Sequence, residues 1–147
     1  MAIDIQLLGP GDESVLENVA EDVFDHEVIP EQATRFLNDP AHYIAVAVAD
    51  GVVVGMASAN EYLHPDKPVM IWVNEMGVSP AWQRQGIGTR LLEALLTHAR
   101  DNGFEEIWLG TENDNVPARG LYQSLGGKEE QFVMYTWELG AEGGQDS

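Results

Sequence analysis

The stretch Met76–Leu92, MGVSPAWQRQGIGTRLL, decides how the rest of the chain is read. It joins a strand-like apolar run to a short loop at Ser79-Pro80 and then to the start of a long helical pattern. Two glycines, Gly86 and Gly88, stand where that helix begins. Glycines at such a point let a backbone approach a ligand, and the free N–H groups of a helix N-terminus attract phosphate. Taken alone, a Gly-x-Gly pair is equally a pair of turn glycines. A dinucleotide fingerprint wants a third glycine where Leu91 stands, and a phosphate loop of the Gly-Lys-Ser/Thr type is missing.

Working outward, Val69–Val78 reads as a central strand, apolar on both faces except for Asn74 and Glu75. Upstream, HYIAVAVA and VVVGMASANEYL flank Asp50-Gly51, a strong hairpin turn, so two adjacent antiparallel strands are expected. A first strand is predicted over Ala2–Leu8, stopped by Gly9-Pro10-Gly11. A helix should follow, capped by Asp12 or Ser14, with Ser14 and Glu17 at capping-box spacing and Val15, Leu16, Val19 and Val23 on one face. A second short helix is predicted over Glu31–Leu37, between Pro30 and Pro40. Downstream, Ile87, Leu91, Leu92, Leu95, Leu96 and Ala99 make Gly86–Asp101 a long amphipathic helix ended near Asn102-Gly103. A short strand at Glu106–Gly110, a helix over Asn115–Leu125 closed by Gly126-Gly127, and a last strand over Glu130–Leu139 complete the pattern. The order β α α β β β α β α β implies an α/β fold on one mixed central sheet, antiparallel in its first half and βαβαβ in its second, flanked by helices. One domain is expected over residues 1–139, with an acidic, flexible tail over 140–147.

The chain has 147 residues with 25 acidic and 7 basic side chains, a formal charge of −18, which argues against nucleic acid or an anionic membrane as partner. Its apolar fraction of 44% is that of a globular protein, so the acidity does not mark a disordered chain. The absence of cysteine removes disulfides, thiolate zinc sites and a cysteine nucleophile together. The four histidines, His26, His42, His64 and His98, lack metal-ligand spacing, so no metal is expected. No leader pattern and no apolar run of about 18 residues is present, and the expected location is cytoplasmic.

Gln83-Arg84-Gln85-Gly86-Ile87-Gly88, after a strand ending Val78-Ser79-Pro80, resembles the pyrophosphate-binding motif Gln/Arg-x-x-Gly-x-Gly/Ala of the GNAT superfamily of acyl-CoA-dependent N-acetyltransferases. Asn115-Val116-Pro117-Ala118-Arg119-Gly120-Leu121-Tyr122, followed by Leu125-Gly126, is similar to that family's Asn-x-x-Ala-x-x-Leu-Tyr element. The resemblance spans roughly residues 3 to 138. Within the superfamily the chain looks most like the aminoglycoside 3-N-acetyltransferases. The residues that suggest it are Glu61-Tyr62-Leu63, the acid in Val73-Asn74-Glu75-Met76-Gly77-Val78, the QRQGIGTRLL helix start, and Thr111-Glu112-Asn113-Asp114 ahead of Pro117-Ala118.

The resemblance implies acetyl-CoA as donor. Backbone groups of Met76, Gly77 and Val78 are then expected to meet the pantetheine arm. Gln83 opens the pyrophosphate motif, and the N–H groups of Arg84, Gln85, Gly86, Ile87, Gly88 and Thr89 are expected to hold the pyrophosphate. Four of the seven basic residues, Arg84, Arg90, Arg100 and Arg119, fall in this segment; Arg84 suits a phosphate best, while Arg100 reads as balancing a helix surface. Asn115 is expected to bond the cofactor, or else to cap its helix. Tyr122 matches the family position near the cofactor sulfur, where a phenol of pKa about 10 can protonate a thiolate whose conjugate acid lies near 8.5; its other reading is a core tyrosine. Direct transfer to the amine fits a chain without cysteine, with a backbone N–H near Met76–Val78 stabilising the oxyanion.

On the acceptor side, Glu75 is expected to take the ammonium proton, directly or through water, and to attract a cation; the alternative is a solvent-facing or Arg-paired carboxylate. Eight acids and no base lie between Asp12 and Glu31, which an ordinary solvated face explains in large part. Asp25 and Glu27, with Glu75, Glu112 and Asp114, can also line a negative pocket that concentrates a polycation. Trp72, Trp82, Trp108 and Trp137 read as core or intersubunit contacts rather than a substrate cage. Phe24 and His26 are left open between core and substrate. The expected activity is acetylation of a cationic amine, an aminoglycoside of the 3-amino type first, conferring resistance. A polyamine, small amine or protein amine is the enzymic alternative, and a non-catalytic acyl-CoA-binding domain the other. A homodimer is allowed, as the family resemblance implies.

Overall fold

The computed structural model describes residues 2–140. Five strands form one sheet in the order β1-β2-β3-β4-β5: β1 (Asp4–Leu7), β2 (His42–Ala49), β3 (Val52–Tyr62), β4 (Met70–Val78) and β5 (Ile107–Leu109). The first four are antiparallel, and β5 lies parallel to β4. Parallel pairing requires a crossover, supplied by helix α2 (Ile87–Asp101). The remaining helices are α1 (Pro30–Asn38) and α3 (Val116–Ser124). The mixed sheet flanked by helices is therefore as the residue pattern implies. The hairpin turn is also as expected, with Asp50 and Gly51 both left-handed at φ 49° and 78°, the geometry of a type I′ turn.

Strand alternation sorts side chains between two cores. Ala45, Ala47, Ala57, Ala59, Ile71 and Val73 face α2, where Ile87, Leu91, Leu92 and Leu95 meet them. The small alanines let the helix lie close to the sheet. Ile44, Val46, Val53 and Met56 face the other way, under Leu16, Val23 and Leu37. That second layer reaches only the first three strands and the Gly77 end of β4. Asn60, Tyr62, Trp72, Asn74, Glu75 and Trp108 occupy the rest of that face, where no helix covers them.

Three expectations need correction. The helix after Gly11 is only a 3-10 turn over Glu13–Glu17, without a side-chain cap; the Ser14/Glu17 box does not form, and Asp12 Oδ2 instead accepts from the Gly9 N–H at 2.8 Å. Beyond it the chain is drawn out by β3: Val53 N–H donates to Asn18 O and Ala20 N–H to Val53 O, both at 2.8 Å. The apolar spacing of Leu16 and Val23 was real, but an irregular segment buries them. The last strand over Glu130–Leu139 is also absent; those residues are unpaired and exposed, Trp137 at 75% and Leu139 at 89%. The neighbouring edge, β5, is three residues long against a usual five or six, and so offers few ladder bonds. Finally, Trp108 and Trp137 are not core residues, whereas Trp82 packs against the α2 core. The acidic tail beyond Gly140 lies outside the described residues. No helix among the described residues is long and apolar enough to cross a membrane.

Gly77 holds the irregular segment against the sheet. A Cβ on it would sit 2.2 Å from the Val23 carbonyl oxygen, which is backbone and cannot swing away. Gly77→Ala is expected to destabilise the fold by about 1–3 kcal/mol through overpacking, read as a lower urea midpoint; an unchanged midpoint would show that the segment yields freely.

Candidate active site at the open edge of β4

β4 and β5 pair only from Ile71–Val73 with Ile107–Leu109. Beyond that register β5 parts from β4, while β4 stays paired to β3 as far as Val78. One edge of β4 from Asn74 to Val78 is thereby left without a strand partner, among the described residues. Backbone donors and acceptors on such an edge need a partner. The register shift between Ser58 and Ala59 adds to this: Ala59 faces Val73 and Ser58 faces Glu75, so Asn74 is the extra residue of a bulge. The bulge puts Glu75 on the helix-free face, opposite Ser58, and returns Met76 to the α2 face, opposite Ala57.

The two expected proton-transfer residues therefore flank one strand edge from opposite faces. Tyr122, on α3, packs with the α2 core, and its hydroxyl lies 3.8 Å from Met76 Sδ. Burial raises its pKa above the ordinary phenol value. Glu75 is exposed and makes no side-chain hydrogen bond or ion pair among the described residues.

At the head of α2, Arg84 and Gly86 are both left-handed, at φ 65° and 77°. Alternating hand in consecutive residues turns successive N–H groups toward one point, an anion-binding nest. The N-cap is Gly86, without a side-chain cap, and the first turn carries no acid. In a chain with 25 acids that local absence leaves the positive helix end unquenched. Arg84 is exposed and unpaired among the described residues. Gln83 and Gln85 are exposed beside it, and Gln83 Nε2 donates to Val78 O at 3.1 Å, which occupies that carbonyl. Ile87 offers only its backbone, its side chain being 2% exposed in the core, and Thr89 is half-buried. Gly88 has a packing reason as well: a Cβ there would meet Leu121 Cδ1 at 3.2 Å, so α3 sits close because the glycine is small.

Several expected participants are partly committed elsewhere. Asn115 Oδ1 accepts from the Ala118 N–H at 3.2 Å as the cap of α3, leaving its Nδ2 free for another contact. Arg119 is held by Glu129 at 2.9 Å and by the Asn113 carbonyl at 2.8 Å, and Arg90 by the Ile3 carbonyl at 3.1 Å. Glu61 is turned to the α2 side, where it accepts from the Tyr43 hydroxyl. Asp25 and Glu27 follow directly on Val23, whose carbonyl touches Gly77, and Glu112 and Asp114 follow the end of β5. All four are exposed, and no direct contact joins them to Glu75 among the described residues.

The sequence reading missed the floor of the open face. Asn74 Nδ2 donates to Asn60 Oδ1 at 2.8 Å, and Trp72 lies across the β4–β5 register from Trp108. Period-two alternation at Asn60/Tyr62 and Trp72/Asn74 carried that signal. The uncovered face did not show, because it depends on where a non-helical segment lies.

The acetyltransferase (GNAT) family model matches residues 13–127. The chain belongs to that family. It is 36% identical over 97 residues to the N-alpha-acetyltransferase RimI of Mycobacterium tuberculosis, a match covering 66% of this chain and 59% of the relative. It is 26% identical over 94 residues to an aminoglycoside N(6′)-acetyltransferase type 1 of Salmonella enteritidis, covering 61% of this chain and 65% of that one. The matched region thus spans less than two thirds of these relatives' length. Among solved structures, an aminoglycoside acetyltransferase from an uncultured soil metagenomic sample, in complex with sisomicin, superposes with a TM-score of 0.78 at 24% identity, over 94% of this chain and 97% of that chain. That likeness establishes the GNAT fold.

The half-buried phenol gives a direct check. Because burial raises the Tyr122 pKa, folding favours its neutral form; that stabilisation is complete below about pH 10 and is lost as pH rises through the folded value. The Tyr43 pKa is also raised, by burial and by its bond to Glu61, so ultraviolet titration of the folded protein should show two late-ionising phenols, of which Tyr122→Phe removes one. An unchanged late phase would take Tyr122 out of its buried setting.

Proposed function

We propose that the chain is an acetyl-CoA-dependent N-acetyltransferase that modifies an amine of an aminoglycoside, the 3-amino group on the motif resemblance. The observation that carries this reading is the open edge of β4, with Tyr122 on one face and Glu75 on the other. When bound there, acetyl-CoA supplies an acetyl group activated as a thioester. The nest and free N–H groups from Arg84 to Thr89, with the Arg84 guanidinium, suit its pyrophosphate, and the unpaired edge at Met76 and Gly77 suits an amide-bearing arm. Gln83 braces this loop from below, and Asn115 Nδ2 remains for a cofactor contact.

Glu75 takes the proton of the acceptor ammonium, so that a neutral amine attacks from the helix-free face. An N–H on the open edge is placed to hold the developing oxyanion. Tyr122 keeps its proton at working pH and can give it to the departing sulfur. No covalent enzyme intermediate is needed, in keeping with a chain that has no cysteine. Asp25, Glu27, Glu112 and Asp114 add negative potential at both approaches, which raises the local concentration of a polycation.

The relatives support two acceptor classes. The aminoglycoside N(6′)-acetyltransferase and the sisomicin-bound neighbour favour a polyamino sugar, and the 6′ label of the former makes regiochemistry a point to measure. The RimI relative favours a protein α-amine as the second reading. Thiol release from acetyl-CoA should be followed with a gentamicin-like panel, spermidine and a basic peptide, and the acetylated amine mapped by NMR. Turnover of the peptide alone would replace the aminoglycoside reading.

Glu75→Gln should lower kcat/KM for the amine by about 10²- to 10⁴-fold while leaving acetyl-CoA affinity unchanged. Equal losses in both would remove it from the acceptor side. Arg84→Gly should act in opposite directions on stability and binding. Relief of a left-handed non-glycine residue is expected to stabilise the fold by about 0.5–1 kcal/mol net of glycine's entropy, and loss of the guanidinium should weaken coenzyme A binding in calorimetry. Unchanged affinity would take Arg84 out of the phosphate site.

A further inference from the structure

The helix-free half of the sheet carries aromatic rings that acetyl transfer itself does not require. Trp72 and Trp108 are register partners on β4 and β5, their ring centroids 6.1 Å apart and their planes 30° from parallel. Tyr62 meets Trp72 edge-on at 6.2 Å and 84°, and the His64 ring lies against Tyr62 at 4.3 Å. Trp108 is 43% exposed and Tyr62 46% exposed, so the ledge presents aromatic surface outward. Gly110 directly follows β5, two residues from Trp108, and a Cβ there would meet the Phe132 ring at 3.4 Å. A fourth aromatic thus borders the row.

Beside the ledge the amides of Asn60 and Asn74 are partly committed to each other and to the backbone. Asn60 spends Oδ1 on Asn74 and Nδ2 on the Glu61 carbonyl, and Asn74 spends its Nδ2 on Asn60. The Asn74 Oδ1 and the exposed Glu75 carboxylate are acceptors without a hydrogen-bond partner among the described residues. Negative ring faces and acceptor oxygens together select a ligand that carries cations and hydroxyl donors. They also suit one with apolar C–H faces. Trp72 stands three residues from Glu75, roughly 7–10 Å along the strand at about 3.3 Å per residue, a span that can reach from a reacting amine on one ring, across the linkage, to the face of the next.

We propose that the Trp72–Trp108 ledge, bordered by Tyr62, is a ring-stacking subsite that selects acceptors having a second saturated, amine-bearing ring beyond the one presented to Glu75. This rests on the aminoglycoside reading but assigns different residues and a different discrimination: ring number rather than charge alone. A linear polyamine has the charge and lacks the ring face.

The test uses the full chain, two-ring neamine, single-ring 2-deoxystreptamine and linear spermidine. Indole N–H resonances, assigned with Trp72→Phe and Trp108→Phe, are followed as each amine is added without acetyl-CoA. Neamine should move the Trp72 and Trp108 signals and spermidine at equal ionic strength should not. In steady state, Trp108→Ala should raise KM for neamine about fivefold to tenfold, leave kcat and the acetyl-CoA KM unchanged, and leave 2-deoxystreptamine unaffected. Trp108→Phe should recover most of the loss.

Acetylation of neamine with still indoles and an unchanged KM in Trp108→Ala would overturn the ledge and leave the enzymatic reading standing. Equal indole shifts from spermidine would overturn it too, since charge alone would then account for binding. Turnover of no aminoglycoside would remove the aminoglycoside reading; the neamine shifts would then decide the ledge by themselves, their presence supporting it and their absence overturning it.

Discussion

A strand edge inside a folded protein must find hydrogen-bond partners or face solvent. β4 meets this constraint unevenly. Its N-terminal half is paired on both sides, and its C-terminal half, from Asn74, is paired only to β3. The departure of β5 and the extra residue at Asn74 coincide, so the chain is unpaired where its pleat is also re-aimed. The bulge alone would turn Glu75 outward, and the divergence alone would expose an edge. Together they give a slot open to both faces of the sheet, with a phenol on the helix side and a carboxylate on the other.

That arrangement separates two charge problems that would otherwise collide. On the proposed function the donor is anionic and the acceptor cationic, while the chain as a whole carries a formal charge of −18. The proposed anion site is compatible with that charge because the head of α2 is free of acids and carries a left-handed arginine where a glycine would be more relaxed. Strain of this kind persists where the surrounding structure holds it and is a pointer to function. Exposed acids are instead concentrated on the segment before α1 and just after β5. The same net charge therefore helps one ligand and is locally screened from the other.

Much of this was legible in the sequence because periodicity and punctuation are local. The Asp50-Gly51 turn, the alternation of β2 and β3, and the heptad-like run from Ile87 to Ala99 each fix an element with its neighbours in the chain. Two elements failed for non-local reasons. The segment after Glu17 carries helical spacing at Val15, Leu16, Val19 and Val23, but Val53 claims the backbone of Asn18 and Ala20 for the sheet. The segment after Glu130 carries strand-like residues, but β5 gives it a three-residue edge. Neither competitor is adjacent in sequence to what it overrides.

The candidate site divides along the same line. Gly86, Gly88 and Tyr122 could be found from a motif, because they lie on one loop and one short helix, each local in sequence. The acceptor face is assembled from β3, β4 and β5 and from what fails to cover them. Its residues Asn60, Trp72 and Trp108 are unremarkable singly and acquire meaning only through cross-strand register. Gly77 links the two halves. On one face it admits the Val23 carbonyl that anchors the acidic segment, and along its edge it belongs to the slot; a side chain there would push the acceptor wall off the strand that holds the reacting groups. Acceptor choice can thus change by altering loops and face residues while β4, its bulge and the head of α2 stay fixed, which is the physical reason a family can share a donor and differ in what it modifies.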